Sequence, residues 1–167
     1  MATATRQANE VKAGKTKVVA QPGKQEVLVS RLLDAPRERI FQAMTDAKLI
    51  PQWWGPVGYT TTVEKLEAKP GGSWRFVQKD PAGNVHAFHG VFHEVAAPER
   101  TVMTFEYEGT PGNVLLQTTS LEDVNGKTLL QQQLVFQSVQ ARDGMVEMGM
   151  EKGNNESLDR LEALLRE

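Results

Sequence analysis

All three histidines of the chain lie in one short segment, and they are its most obvious candidates for chemistry. They are His86, His89 and His93. On a β-strand His86 and His89 point to opposite faces, while His89 and His93 share a face about 13 Å apart at 3.3 Å per residue. Zinc requires ligand nitrogens about 2 Å from one ion. The spacing therefore predicts no metal site. His86 or His89 is the candidate for proton transfer inside a pocket, and a solvent-facing position is the alternative.

Three consecutive glutamines interrupt a later strand-like run. Gln131, Gln132 and Gln133 stand in KTLLQQQLVFQ. Alternate strand residues point to opposite faces, so at least one of these amides must point inward and needs a hydrogen-bonding partner. Gln117 or Thr119 on the neighbouring strand, a buried water or a polar group of a ligand would serve. A polar group in an apolar cavity is typical of small-molecule sites.

Two glycines stand one turn apart in the C-terminal segment, whose pattern is helical. Gly149 and Gly153 each cost about 1 kcal/mol relative to alanine inside a helix. Two interpretations remain open: the bare backbone faces a ligand, or the helix approaches a strand closely. The neighbouring Met145 and Met148 suit the adaptable wall of a pocket and an ordinary core equally well.

Aromatic residues concentrate in the early and middle strands, where most of them should belong to the core. Some of them, with the polar and flexible residues just described, form the predicted lining of a cavity. The predicted ligand-binding set is Trp54, Trp74, Phe76, Phe88, Phe105, Gln117, Gln133, Met145, Met148 and Gly149. No catalytic residue and no cofactor is predicted, because the sequence has no phosphate-binding loop, dinucleotide fingerprint or nucleophile elbow.

Composition limits the classes of function further. The 167-residue chain has no cysteine and a net charge of −2, and residues 1–24 hold five Lys or Arg against one Glu. An acidic body without a basic stripe argues against nucleic acid as a partner, and no apolar run approaches the roughly 18 residues of a membrane span. Without a signal peptide, the protein is expected in the cytoplasm. We predict a basic tail over residues 1–17 and one domain over residues 18–167.

The strand and helix signals place these residues in a mixed architecture. QEVLVSRLL alternates as a strand, two short helical runs follow, and several strand-like runs separated by proline and glycine come next. Asn125-Gly126 predicts a two-residue β-hairpin, and from residue 141 to 165 the period is helical. The sequence therefore predicts an α+β fold, a curved antiparallel sheet of about six or seven strands wrapped around one long C-terminal helix.

Several of these runs also resemble a known family. The runs are DAPRERIFQAM, WWGP, KPGGSWRF, APER and EMGMEKG. From about Val18 to Leu165 the chain is similar to bacterial proteins related to the C-terminal domain of the activator of heat-shock protein 90 ATPase, in the START-like superfamily, also called SRPBCC or birch-pollen-allergen-like. The resemblance implies a helix-grip fold over a deep cavity. It does not select a function, because that superfamily includes carriers, hormone receptors, cyclases, hydrolases and chaperone activators.

Three functions follow as hypotheses. The favoured one is binding of a small hydrophobic molecule in a cavity between the sheet and the C-terminal helix. The second is a protein-interaction module, co-chaperone-like or a partner in a stress response, for which the leucine stripe from Leu158 to Leu165 would also allow a homodimer. The third is a cyclase or hydrolase in which an inward histidine, tyrosine or glutamate acts on a bound hydrophobic substrate.

Overall fold

One open antiparallel sheet dominates the computed structural model, which describes residues 14–166. The strands are β1 (Lys17–Val19), β2 (Glu26–Leu33), β3 (Thr60–Leu66), β4 (Ser73–Lys79), β5 (Val85–Ala96), β6 (Arg100–Tyr107), β7 (Val114–Val124) and β8 (Lys127–Val135). Their order across the sheet is β1-β2-β8-β7-β6-β5-β4-β3. The predicted antiparallel sheet is confirmed. The short strand β1 raises the strand count to eight in the described residues, above the predicted six or seven.

A tight turn fixes the register of β7 and β8. Asn125 and Gly126 have positive φ angles of 53° and 84°, and Val124 pairs with Lys127. This confirms the predicted hairpin, because Asn-Gly readily adopts the left-handed conformation that a two-residue turn of this type requires.

The pairing of β2 with β8 brings distant parts of the chain together. Val27 lies opposite Leu134, and Arg31 lies opposite Leu130. Opposite residues point to the same side of a sheet. Val27 and Leu134 are both buried in the core, so they mark the side on which the helices pack. We call this side the inner face of the sheet and the other side the outer face.

The described residues form three α-helices that pack into the same core as the inner face. They are α1 (Arg37–Thr45), α2 (Val139–Glu147) and α3 (Met150–Leu165). A short 3-10 turn at Ile50–Gln52 follows α1, so the two helical runs predicted after the first strand are present. On α3, Leu158, Leu161 and Leu165 are buried, as the leucine stripe requires for a helix with one apolar face.

The predicted C-terminal helix is interrupted once. Gly149, with a φ of 87°, separates α2 from α3. Its amide donates to the carbonyl of Val146, and the amide of Met148 donates to the carbonyl of Gly144. A left-handed glycine commonly ends a helix in this way. A single left-handed residue breaks the helix without inserting extra residues. The helical periodicity of the sequence therefore continues across the break and does not reveal it.

Candidate functional site

An apolar pocket opens where β6 and β8 end and β7 begins. On the sheet side it is lined by Phe105, Leu115 and Phe136, and Phe105 lies directly opposite Leu115. On the other side it is lined by Ala141, Gly144 and Met145 of α2 and by Met148, the C-cap of that helix. The volume is about 200 Å³. The rim carries polar side chains, namely Thr110, Asn113, Gln137 and Gln140. Apolar walls with a few polar groups are the usual composition of a small-molecule site.

The row of inner-face side chains next to the pocket contains a glutamine. Gln117 lies between Met103 and Leu134, its partners on β6 and β8. Its side chain is half-buried, and within residues 14–166 its amide makes no hydrogen bond. One row further along the sheet, the amide of Gln132 donates to the hydroxyl of Thr119 across 3.4 Å. The inner face therefore carries amides within largely apolar surroundings.

A cluster of aromatic rings continues from the pocket across the inner face. Trp54 meets Phe76 and Phe88 edge-on at centroid distances of 5.1 and 5.2 Å. Phe105 lies 5.4 Å from Phe88 and 5.6 Å from Trp74, so it belongs to both the cluster and the pocket. Trp74 and Phe76 are 1% and 4% exposed and belong to the core. Trp54, Phe88 and Phe105 are half-buried and form the accessible side of the cluster.

The structure brings part of the predicted ligand-binding set together. Phe105, Met145 and Met148 line the pocket, and Gln117 lies one row away. Met148 is the most accessible of these, with 70% of its surface exposed, so it stands at the rim. The other four aromatic members, Trp54, Trp74, Phe76 and Phe88, are in the adjoining cluster.

Two members of the predicted set lie elsewhere. Gln133 is on the outer face, where its exposed amide donates to Glu26 across 3.0 Å. The hairpin register places Gln132 on the inner face instead, because neighbouring strand residues alternate. Gly149 lies at the break between α2 and α3 and lines a separate open hollow of about 710 Å³ beside Asn155. Its backbone does not line the apolar pocket.

His86 is the inward-facing histidine, and both of its ring nitrogens have partners. Nδ1 is 2.9 Å from the hydroxyl oxygen of Tyr107, and Nε2 is 3.0 Å from Oδ2 of Asp80. The hydrogen bond with His86 is the largest cause that lowers the pKa of Asp80 to about 2. Tyr107 lines the pocket, and a Cβ at Gly109 would lie 2.5 Å from its ring. His86 thus contacts one pocket wall, and a side chain at position 109 would displace that wall.

His89 lies on the outer face within a charged cluster. Its Nδ1 is 2.9 Å from Glu108, which also accepts two hydrogen bonds from Arg75 at 2.8 and 2.9 Å. Arg75 first and His89 second lower the pKa of Glu108 to about 2. Arg75 also pairs with Glu64, and these two carboxylates raise the pKa of its guanidinium. These groups stabilise one another on the side of the sheet away from the pocket.

The predicted set omits several residues that shape the pocket. Leu115 and Phe136 are among them. The register set by the Asn125-Gly126 turn places these two residues opposite each other, so the sequence did carry a signal for them. Gly144 carries no signal of its own within a helical period. Arg31 is the other unexpected inner-face residue: it is 1% exposed and pairs with Asp159 at 2.7 Å and with Glu162 at 3.1 Å.

Two kinds of feature are absent from residues 14–166. Those residues contain no group of three or more His, Cys, Asp or Glu side chains arranged to hold a metal ion. None of their helices combines the length and the apolar character needed to cross a bilayer.

An open antiparallel sheet whose inner face packs on a long C-terminal helix defines a helix-grip protein of the α+β class. A family model described as Activator of Hsp90 ATPase homolog 1-like protein matches residues 34–166, and the chain belongs to that family. The resemblance seen in the sequence, to this family and to the START-like superfamily, is thereby confirmed. No curated protein sequence matches the chain significantly.

Solved structures of bacterial proteins share the fold. Protein Ms6760 from Mycobacterium smegmatis is 21% identical with a TM-score of 0.82, covering 90% of this chain and 97% of its own. A protein from Arthrobacter aurescens is 24% identical with a TM-score of 0.83, covering 90% of this chain and 91% of its own. The AHSA1 (SPO3351) protein from Silicibacter pomeroyi is 22% identical with a TM-score of 0.71, covering 84% and 97%. At these identities the likeness shows the fold.

Proposed function

We propose that this protein binds a small hydrophobic molecule in the pocket between the inner face of the sheet and α2. The observation that carries the proposal is the pocket itself, about 200 Å³ of space walled by Phe105, Leu115, Phe136 and Met145. Apolar walls favour an apolar ligand because binding removes apolar surface of both partners from water. Membership in a fold superfamily that commonly binds hydrophobic ligands supports the same function.

The size of the pocket limits the ligand. An engineered apolar cavity of about 150 Å³ accommodates benzene, and sites for drug-sized molecules occupy roughly 300–1,000 Å³. A pocket of about 200 Å³ therefore suits a single aromatic ring with a small substituent or a short branched chain. It is too small to enclose a two-chain lipid without rearrangement.

The test uses a glycine on the α2 side of the pocket. A Cβ at Gly144 would meet no atom within 4 Å, so a side chain there enters open space. We expect Gly144→Phe to fill the pocket, since a benzyl group is as large as the probe toluene, and to weaken toluene binding by at least tenfold. Gly144→Ala is the matched control. It leaves most of the space open and should stabilise α2 by up to about 1 kcal/mol.

Binding is measured by titrating toluene into labelled protein and following the amide resonances of the pocket residues. Shifts of Leu115 and Met145 that saturate in the wild type and in Gly144→Ala, and are lost in Gly144→Phe, support the proposal. A wild type in which no pocket resonance moves up to the solubility limit of toluene contradicts it. Equal affinities in all three proteins would place the bound probe elsewhere and also contradict it.

A further inference from the structure

Gln117 places an amide on the inner face, and residues 14–166 offer that amide no hydrogen-bonding partner. Its neighbours across the sheet, Met103 and Leu134, offer no side-chain donor, and the thioether of Met103 is only a weak acceptor. Within residues 14–166 it makes no hydrogen bond, and it is half-buried in the middle of an eight-stranded sheet. Nε of Arg31 is the one described side-chain N or O atom that is both buried and unpaired, so the amide atoms of Gln117 remain accessible and a ligand can reach them. The partial exposure of Gln117 on the helix-covered side of a central strand means that space remains beside it.

A second glutamine on the inner face has a hydrogen-bonding partner within the protein. Gln132, on β8, donates to the hydroxyl of Thr119. Thr119 is the next inner-face residue after Gln117 on β7, so the two glutamines lie in adjacent rows of the inner face. One has a partner from the protein and the other does not.

Gln117 is within reach of a molecule in the pocket. It lies two residues from Leu115 on the same face of β7, which is about 6.6 Å along a strand. Phe105, the partner of Leu115 on β6, lines the pocket beside it. A ligand resting on Leu115 and Phe105 would therefore bring a polar substituent next to the amide.

We infer that Gln117 is the polar anchor of the ligand site and that the ligand is a neutral aromatic or short aliphatic molecule carrying one hydroxyl or carbonyl group. This inference rests on the proposed function. An amide both donates and accepts hydrogen bonds, so it suits either group. A carboxylate does not fit. None of the residues that line the pocket in the described part of the chain is a cation, and Arg31 on the inner face is already paired with Asp159 and Glu162.

The experiment compares phenol with toluene, which differ by a hydroxyl in place of a methyl group. Dissociation constants of both probes are measured by amide resonance shifts for the wild type, for Gln117→Met and for Gln133→Met. The Gln117→Met variant keeps the length of the side chain and removes the amide. The Gln133→Met variant makes the same change on the outer face and is the control.

The expected result is a change in the ratio of the two dissociation constants. A neutral hydrogen bond corresponds to about a twofold to tenfold change in affinity. We expect Gln117→Met to lower the preference for phenol over toluene by about that factor, and Gln133→Met to leave it unchanged. Benzoate, which carries a charge, should bind at least tenfold more weakly than the isosteric and neutral benzamide.

The possible outcomes separate this inference from the proposed function. Binding of both probes with the same ratio in the wild type and in Gln117→Met overturns the inference and leaves the proposed function in place, and so does benzoate binding as well as benzamide. Failure of toluene and phenol to shift any pocket resonance overturns both. If Gln117→Met does not fold, the side-chain amide resonance of Gln117 in the wild type decides: it must shift with phenol more than with toluene at equal saturation, and equal shifts overturn the inference.

Discussion

His86 and His89 stand three residues apart in one strand and serve different parts of the molecule. His86 points inward and connects Asp80 to Tyr107 at the pocket wall. His89 points outward to Glu108. The sequence predicted that the two would face opposite sides, because strand residues alternate with a period of two. It could not predict which side was the interior, since that depends on where the helices pack.

The charged cluster on the outer face makes the stability of the protein depend on pH. Arg75 and His89 lower the pKa of Glu108 from 4.5 to about 2 in the folded state. A carboxylate whose folded pKa is depressed stabilises the fold above its unfolded pKa and loses this contribution as the pH falls towards the folded value. We therefore expect Glu108→Gln to lower the urea midpoint at pH 7, and the difference from the wild type to shrink as the pH falls below 4.5 towards 2.

The control for this prediction is the Glu108→Gln substitution in a protein that lacks the guanidinium of Arg75. Arg75 is the largest cause of the lowered pKa of Glu108, so Glu108→Gln should have a smaller effect in an Arg75→Gln background at pH 7. Urea unfolding followed by circular dichroism at pH 7, 5, 4 and 3 measures all four proteins. An effect of Glu108→Gln that is the same at pH 7 and pH 3 would show that the carboxylate does not stabilise the fold through its charge.

At the scale of elements, two glycines one helical turn apart in the sequence have opposite roles. Gly149 has a φ of 87° and ends α2, whereas Gly153 lies inside α3. The left-handed conformation costs a residue with a Cβ about 1–2 kcal/mol, so Gly149→Ala should destabilise the protein by about that amount. A Cβ at Gly153 would lie 3.8 Å from Cγ of Pro56, an ordinary contact, so Gly153→Ala should stabilise α3 by up to about 1 kcal/mol.

The opposite signs make this pair its own control. Both substitutions add one methyl group in neighbouring turns of the same segment, and both are measured by the free energy of unfolding in urea. Stabilisation by Gly149→Ala would mean that the helix runs through residue 149 without a break, as its sequence pattern first indicated.

Of these two glycines, Gly153 lies inside a helix as the sequence predicted, and Gly149 does not. Each was assigned to the inside of one helix, facing a ligand or a strand. The structure instead uses Gly149 for a left-handed turn, a need that hydrophobic periodicity does not reveal.

The β7–β8 hairpin is the opposite case: Asn125-Gly126 determines the register, so the pairing of Thr119 with Gln132 could have been predicted by counting from the turn. The same count places Gln117 and Gln133 on opposite faces, so both could not line one cavity, and the structure puts Gln133 on the outer face.

At the scale of the whole molecule, the fold could be predicted from the sequence more completely than the site. Consecutive strands joined by turns predict a row of antiparallel neighbours from β3 to β8. The contact of β2 with β8, which joins residues about a hundred positions apart, has no local signal. The pocket lies where α2 packs over the ends of β6 and β8. Its position therefore follows from long-range packing. The sequence identified aromatic and methionine residues as candidates for the lining, but it could not show which of them contact one another.

The first described residues of the chain pack against β2 at the edge of the sheet. The sequence predicted a tail over residues 1–17, yet three residues of that span contact β2. The amide of Gly14 donates to the carbonyl of Leu32, Arg31 donates to the hydroxyl of Thr16 across 3.2 Å, and Lys17 pairs with Ser30. We therefore propose that residues 14–17 belong to the domain.

Two truncated chains test this boundary, one starting at Gly14 and one at Val18. We expect the chain from Val18 to be less stable than the chain from Gly14 by about 1–3 kcal/mol, because the buried and charged Arg31 loses the Thr16 hydroxyl and β2 loses part of its edge partner. Thr16→Val in the chain from Gly14 is the matched control, since it removes only the hydroxyl and should account for part of the difference. The free energy of unfolding in urea, compared among the three proteins, measures both effects. Equal stability of the two truncated chains would return the boundary to residue 18.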